Sequence, residues 1–122
     1  MSRNEVETAE LQKLVSMYQS AAMAHGLATE AGDHATANRS YDTIAFVCRE
    51  LRRRGRDAQL ELLGLLDERD PYVRMWAATH ALEFAPEAGV NILKELTTSE
   101  GIVGFDAQMT LKAWREGRLR FP

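Results

Sequence analysis

His25, His34, Cys48 and the arginines between Arg49 and Arg56 are the residues of this 122-residue chain whose types and spacing could do chemistry. His25 and His34 fall on the inward stripes of two helices joined by a short turn, with Glu30 and Asp33 close in sequence. Imidazole and carboxylate together suit zinc or a similar ion. The plainer account is a pair of amphipathic residues at the edge of a core. No Cys-x-x-Cys or His-Glu-x-x-His spacing supports a metal, so neither a metal nor any other cofactor is expected. His80 precedes Glu83 by three residues on a helix and reads as half of a local surface pair.

Cys48 lies on the apolar stripe of its helix. A nucleophilic thiol needs a lowered pKa and a neighbouring base. The stripe aims Cys48 inward, so an inert core cysteine is expected. The carboxylates are scattered over helix surfaces, with no pair placed to divide acid and base roles. There is no Gly-x-Gly-x-x-Gly, Walker loop or Gly-x-Ser-x-Gly. A noncatalytic protein is expected.

The arginines carry the strongest local signal. Arg49, Arg52, Arg53, Arg54 and Arg56 are opposed within their own stretch only by Glu50, in a chain whose formal net charge is −3. On a helix, Arg49, Arg52, Arg53 and Arg56 span one broad face, with Leu51 on the other side. One account is a helix C-terminus favoured by its dipole and paired with the acids of residues 57–70. A second is a contact surface for an acidic protein. A third is a grip on nucleic acid, although no aromatic residues are interleaved for base stacking and so few cations hold phosphates weakly at physiological salt.

These residues are positioned by helices. Apolar residues recur at Leu11, Leu14, Tyr18, Ala21, His25 and Ala28, the spacing of one helix face. Asn4 and Glu7 have the spacing of a capping box opening that helix, and Gly32-Asp33 stops it and caps the next. The second stripe runs His34, Ala37, Tyr41, Ile44, Cys48, Leu51 and closes at Gly55. So short a connection predicts an antiparallel hairpin. Beyond Gly55, Asp57 is expected to cap a helix carrying Leu60, Leu62, Leu63, Leu65 and Leu66. Asp70-Pro71 is a cap followed by proline at the first helical position. Pro86 opens another helix, and Ser99 is expected to cap a last one ending at Gly117. Tyr72, Met75, Phe84, Phe105 and Trp114 are core candidates by phase. Trp76 next to Met75 is the exception, because both cannot face inward, and an exposed Trp is a common binding anchor.

Shifting residues 57–84 forward by thirty places Leu60, Leu62, Leu63 and Leu66 on Val90, Ile92, Leu93 and Leu96. It also places Val73 on Val103, Ala77 on Ala107 and Phe84 on Trp114. Helix pairs repeating at one period mark an α-solenoid. The stretch from Asp70-Pro-Tyr-Val73-Arg74 through Ala77-Ala78 to Ala81-Leu82 resembles the second helix of a HEAT repeat. The second copy departs from it, with Gly104 in place of the arginine and Glu100-Gly101 in place of Asp-Pro. The whole chain also resembles a family of short bacterial HEAT-like proteins catalogued as a domain of unknown function. That resemblance implies a fold and no activity. Arg74 lies four residues after Asp70 and is expected to pair with it or to bridge to an adjacent helix.

The expected architecture is therefore all-α, an α-α superhelix of the HEAT/armadillo-like solenoid type with six helices. Residues 1–55 form a hairpin cap, 56–85 and 86–117 two repeats, and 118–122 a tail. One cysteine excludes an internal disulfide and favours a reducing, cytoplasmic setting. No run approaches the roughly 18 apolar residues of a membrane span. The expected function is a bacterial protein-protein interaction module, an adaptor or immunity-type binding protein. Arg49, Arg52, Arg53, Arg56, Arg74 and Trp76 are its candidate contacts, with homodimerisation through an end helix as a further expectation. The alternative is a weak nucleic-acid binder using the Arg49–Arg56 cluster.

Overall fold

The computed structural model describes residues 3–122, and among these every regular element is helical. The order is α1 (Arg3–Thr8), α2 (Leu11–Ala31), α3 (His34–Arg54), α4 (Arg56–Leu60), a 3₁₀ segment (Glu61–Asp67), α5 (Pro71–Phe84), α6 (Pro86–Leu96) and α7 (Gly101–Arg115). The chain divides into two compact units. The first runs through Glu61 and includes Pro122, and the second runs from Leu62 to Phe121.

In the first unit α2 and α3 pack along each other as the expected hairpin. Leu14, Tyr18 and Ala22 of α2 meet Ile44, Val47 and Leu51 of α3 in a core from which solvent is fully excluded. Gly32 adopts the left-handed conformation (φ 72°) that ends α2, and its N–H and that of Asp33 satisfy carbonyls of the last turn. The Asp33 carboxylate accepts the Thr36 N–H at 3.1 Å and opens α3. The inward stripe of α3 is shifted from the predicted one. Burial begins at Ser40 and continues through Ile44, Val47, Cys48 and Leu51, while His34 and Tyr41 are exposed. Near the turn the hairpin has no further layer to cover the early residues of the stripe.

The capping box at Asn4 and Glu7 does not form at the start of α2. Both residues lie inside the separate helix α1, and α2 begins after Glu10 without a side-chain cap. What fixes α1 is Val6, 1% exposed, buried against α3.

The leucine-rich segment after Gly55 is not one α-helix capped by Asp57. Gly55 occupies the N-cap of α4, Asp57 sits in its first turn, and the chain tightens into the 3₁₀ segment after five residues. Three residues per turn place Leu62 and Leu65 one above the other, and both are buried.

In the second unit α5 packs along α6, and both meet α7. Asp70 caps α5 as expected, its Oδ1 accepting the N–H groups of Tyr72 at 2.9 Å and Val73 at 3.1 Å, with Pro71 at the first turn. Val73, Ala77, Ala78 and Ala81 are fully buried, and their small side chains let α6 approach closely. Gly89 of α6 takes up that approach: a Cβ there would stand 2.6 Å from the Ala78 carbonyl oxygen. Helix α7 starts after Glu100 rather than with Ser99 as its cap, and Gly104 packs on the Ser99 carbonyl. Of the residues related by the shift of thirty, Val73, Val103, Ala77 and Ala107 are all buried, whereas Trp114 is less covered than Phe84. Phe105 is 62% exposed and is not the core residue its phase predicts. It lies on the side of α7 that no element of its own unit covers.

Candidate functional site

The arginine stretch is organised around a buried acid. Glu50, 4% exposed, points into the first unit between α1 and α3. Its Oε1 accepts Arg53 Nε at 2.9 Å and its Oε2 accepts Arg53 Nη2 at 2.6 Å, a bidentate pair. Oε2 also accepts Arg54 Nε at 2.6 Å. The Arg53 hydrogen bond leads in holding the Glu50 carboxyl below the usual glutamate range, and burial only partly opposes it. Helical geometry explains the partners, since residues three and four places on share a face with Glu50.

Each arginine then has its own place. Arg54 reaches beyond Glu50 to donate from Nη2 to the Ala9 carbonyl at 2.6 Å and the Glu7 carbonyl at 3.3 Å, fastening the end of α1 to the end of α3. Arg52 donates from Nη1 to the Pro122 carbonyl at 2.7 Å. Arg53 keeps its side chain 66% exposed while held by Glu50. Arg49 lies over the Phe46 ring, 5.9 Å from its centroid, and is exposed, as is Arg56. Arg53 and Arg54 thus pair with Glu50 rather than with the acids of residues 57–70. Arg49, Arg53 and Arg56 carry the solvent side of the stretch, while Arg52 and Arg54 tie chain segments together.

Arg74 and Trp76 belong to the second unit. Arg74 donates from Nε to the Leu66 carbonyl at 3.0 Å and from Nη2 to Glu95 Oε2 at 2.8 Å. It therefore bridges from α5 to α6 and secures the end of the 3₁₀ segment, while Asp70 is engaged as a cap. Between Met75 and Trp76 the packing is decided: Met75 is buried and Trp76 half-buried. Trp76 lines a cleft of about 270 Å³ with Thr79, Asp106, Met109 and Leu119. One ring away stands His80, at 5.7 Å between centroids and 33° between planes. His80 is 5% exposed, so it is a buried ring partner of Trp76 and not the surface residue the sequence predicts.

His25 is half-buried and His34 exposed. Thr29 donates to the His25 carbonyl at 2.8 Å. Among the described residues no group of three His, Cys, Asp or Glu side chains is arranged to hold a metal ion. Cys48 is buried as a free thiol. Beside it Tyr18 is fully enclosed, and burial pushes its phenol well above the usual range, with Cys48 adding to the shift. No helix among the described residues is long and apolar enough to cross a membrane.

The feature that sequence reading passes over is a groove along the hairpin between α2 and α3, lined by Lys13, Ser16, Ser20, Arg39 and Ser40 among others. Its only signal in sequence is the recurrence of small and hydroxyl residues at helical spacing beside the apolar stripe.

These units define an all-helical protein, among the described residues, with an arginine stretch organised around Glu50. The chain belongs to the family described as "Domain of unknown function (DUF2019)", which matches residues 12–114. It is similar in fold to the crystal structure of the protein RPA1889 from Rhodopseudomonas palustris CGA009, with a TM-score of 0.88 and 24% identity. That likeness covers 96% of this chain and 98% of the other. No curated protein matches the chain.

Proposed function

We propose that this protein is a noncatalytic, HEAT-like interaction module of the bacterial cytoplasm that recognises an acidic protein surface through Arg49, Arg53 and Arg56. The observation that carries the reading is the fixing of Arg53 by a buried Glu50 while its side chain stays 66% exposed. A cation held in one geometry loses less entropy on binding than a free one. Arg49 on the Phe46 ring is restrained in a similar way. Because Glu50 neutralises part of the stretch, the remaining positive charge suits a protein carboxylate patch better than a polyanionic backbone. The HEAT-like part rests on the thirty-residue correspondence of Val73 and Ala77 with Val103 and Ala107, together with the Asp70 cap. The cytoplasmic part rests on a single cysteine that is buried as a free thiol. Self-association through α7 fits the exposure of Phe105 and Met109. A light-scattering mass equal to one chain at working concentration removes that part.

The test is affinity capture of the tagged protein from its own cells, with and without nuclease, beside an Arg49→Glu/Arg56→Glu variant. This variant leaves the Glu50 network and the Arg52 and Arg54 ties in place. One stoichiometric protein that survives nuclease and is lost from the variant supports the reading. Capture of nucleic acid alone overturns it in favour of phosphate binding.

A further inference from the structure

On one flank of the α2–α3 hairpin the two helices do not close. The gap is a groove of about 510 Å³, within the roughly 300–1,000 Å³ of small-molecule sites. Its origin is in the sequence. Lys13, Ser16 and Ser20 recur at helical spacing on α2, and Thr36, Ser40 and Thr43 do so on α3, so short polar side chains stand where larger apolar ones would fill the space.

The hydroxyls are the informative part. Ser16 and Ser20 stand exposed along the groove, while Ser40, 8% exposed, makes no side-chain hydrogen bond within the described residues and keeps its hydroxyl open to it. Two exposed cations line the same groove, Lys13 and Arg39, and Arg39 also helps to hold down the nearby Asp33 carboxyl, which does not line it. Arg39 donates from Nη2 to Thr36 Oγ1 at 3.0 Å, which orients its guanidinium and leaves its other N–H groups for a ligand.

We propose that this groove binds a small phosphate monoester of a polyol. A phosphate dianion matches the two cations, and an arginine fork suits its oxygens. The serine hydroxyls both donate and accept, so they serve the hydroxyl groups of the same ligand as well as its phosphate. The site is separate from the arginine surface assigned above and stands without it.

The test follows the backbone amides of the ¹⁵N-labelled full chain during titration with glycerol 3-phosphate, inorganic phosphate and glycerol, each to the order of 10 mM. Glycerol 3-phosphate is expected to give saturable shifts at Ser16, Ser20 and Ser40, several-fold tighter than phosphate, with none from glycerol. The exposed-site variants Lys13→Gln and Arg39→Gln should each weaken binding about tenfold, the loss of one charge-assisted contact of about 1.4 kcal/mol. Absence of saturable shifts in the groove overturns the proposal. So do shifts unchanged in the Lys13→Gln/Arg39→Gln double variant, and so does inorganic phosphate binding as tightly as the ester.

Discussion

Arg54 joins a buried carboxylate to a chain end: its Nε lies 2.6 Å from Glu50 Oε2 while its Nη2 lies 2.6 Å from the Ala9 carbonyl oxygen. One side chain thus satisfies the only buried acid of α3 and holds the short helix α1 in place. A six-residue helix has little stability of its own, so α1 depends on this tie and on Val6.

Replacing Glu50 with Ala should therefore destabilise the protein by about 2 kcal/mol, because Arg54 loses its partner while still largely covered. Arg53→Ala should cost clearly less, since that guanidinium is solvent-screened. Urea unfolding of the two variants checks the order. Equal midpoints for both would show that Glu50 does not act as the shared anchor.

Stability should fall on acidification. The native Glu50 carboxyl is held below the range it has in the unfolded chain, first by Arg53, and that of Asp33 is lowered first by its Thr36 hydrogen bond. A depressed native value means that the unfolded state binds protons first. The stabilising contribution is complete above the ordinary carboxylate range and is lost as pH drops through the lowered values, from about pH 5 downward. Melting temperatures of the wild type and Glu50→Gln across that window should converge at low pH. A constant difference between them would contradict the assignment.

The caps should differ in weight. Asp70 accepts from both Tyr72 and Val73, whereas Asp33 has Thr36 N–H as its backbone partner. Asp70→Ala is expected to lose about 1 kcal/mol or somewhat more, and Asp33→Ala less. Thermal unfolding of the two single variants, followed by far-ultraviolet circular dichroism, gives the comparison directly.

Glycine has opposite meanings at two sites. Gly89→Ala pushes a methyl group to within 2.6 Å of the Ala78 carbonyl, and backbone cannot turn aside as a side chain can. A loss of about 1–3 kcal/mol is expected from forcing α5 and α6 apart. At Gly64 nothing lies within 4 Å and φ is not positive, so Gly64→Ala should be neutral or slightly stabilising. Denaturant midpoints moving together in the two variants would show that the α5–α6 contact at Gly89 tolerates a methyl group.

Much of the helical order is legible in the chain. The Asp33 and Asp70 caps, the Gly32 and Gly117 stops and the Leu14–Tyr18–Ala21 stripe all act over a turn or less, so residue type and spacing suffice to read them. The failures fall where local signals compete. Asn4 and Glu7 carry cap chemistry but lie within another helix, and the leucines after Leu60 satisfy both a 3.6 and a 3.0 repeat. At His80 burial depends on which neighbour covers that face, whereas Phe105 sits two residues from both Val103 and Ala107 and so about 200° round the helix from the buried stripe.

The long hairpin helices, the turn between them and the gathering of arginine at the end of α3 are set by backbone sterics, periodicity and charge count, and residue order alone fixes them. It is packing in three dimensions that turns Glu50 inward to gather Arg53 and Arg54, brings Arg52 to Pro122, and leaves a hydroxyl-lined groove open beside the core. Those outcomes depend on contacts between residues up to 70 positions apart, where packing and desolvation choose among partners that sequence spacing leaves equivalent.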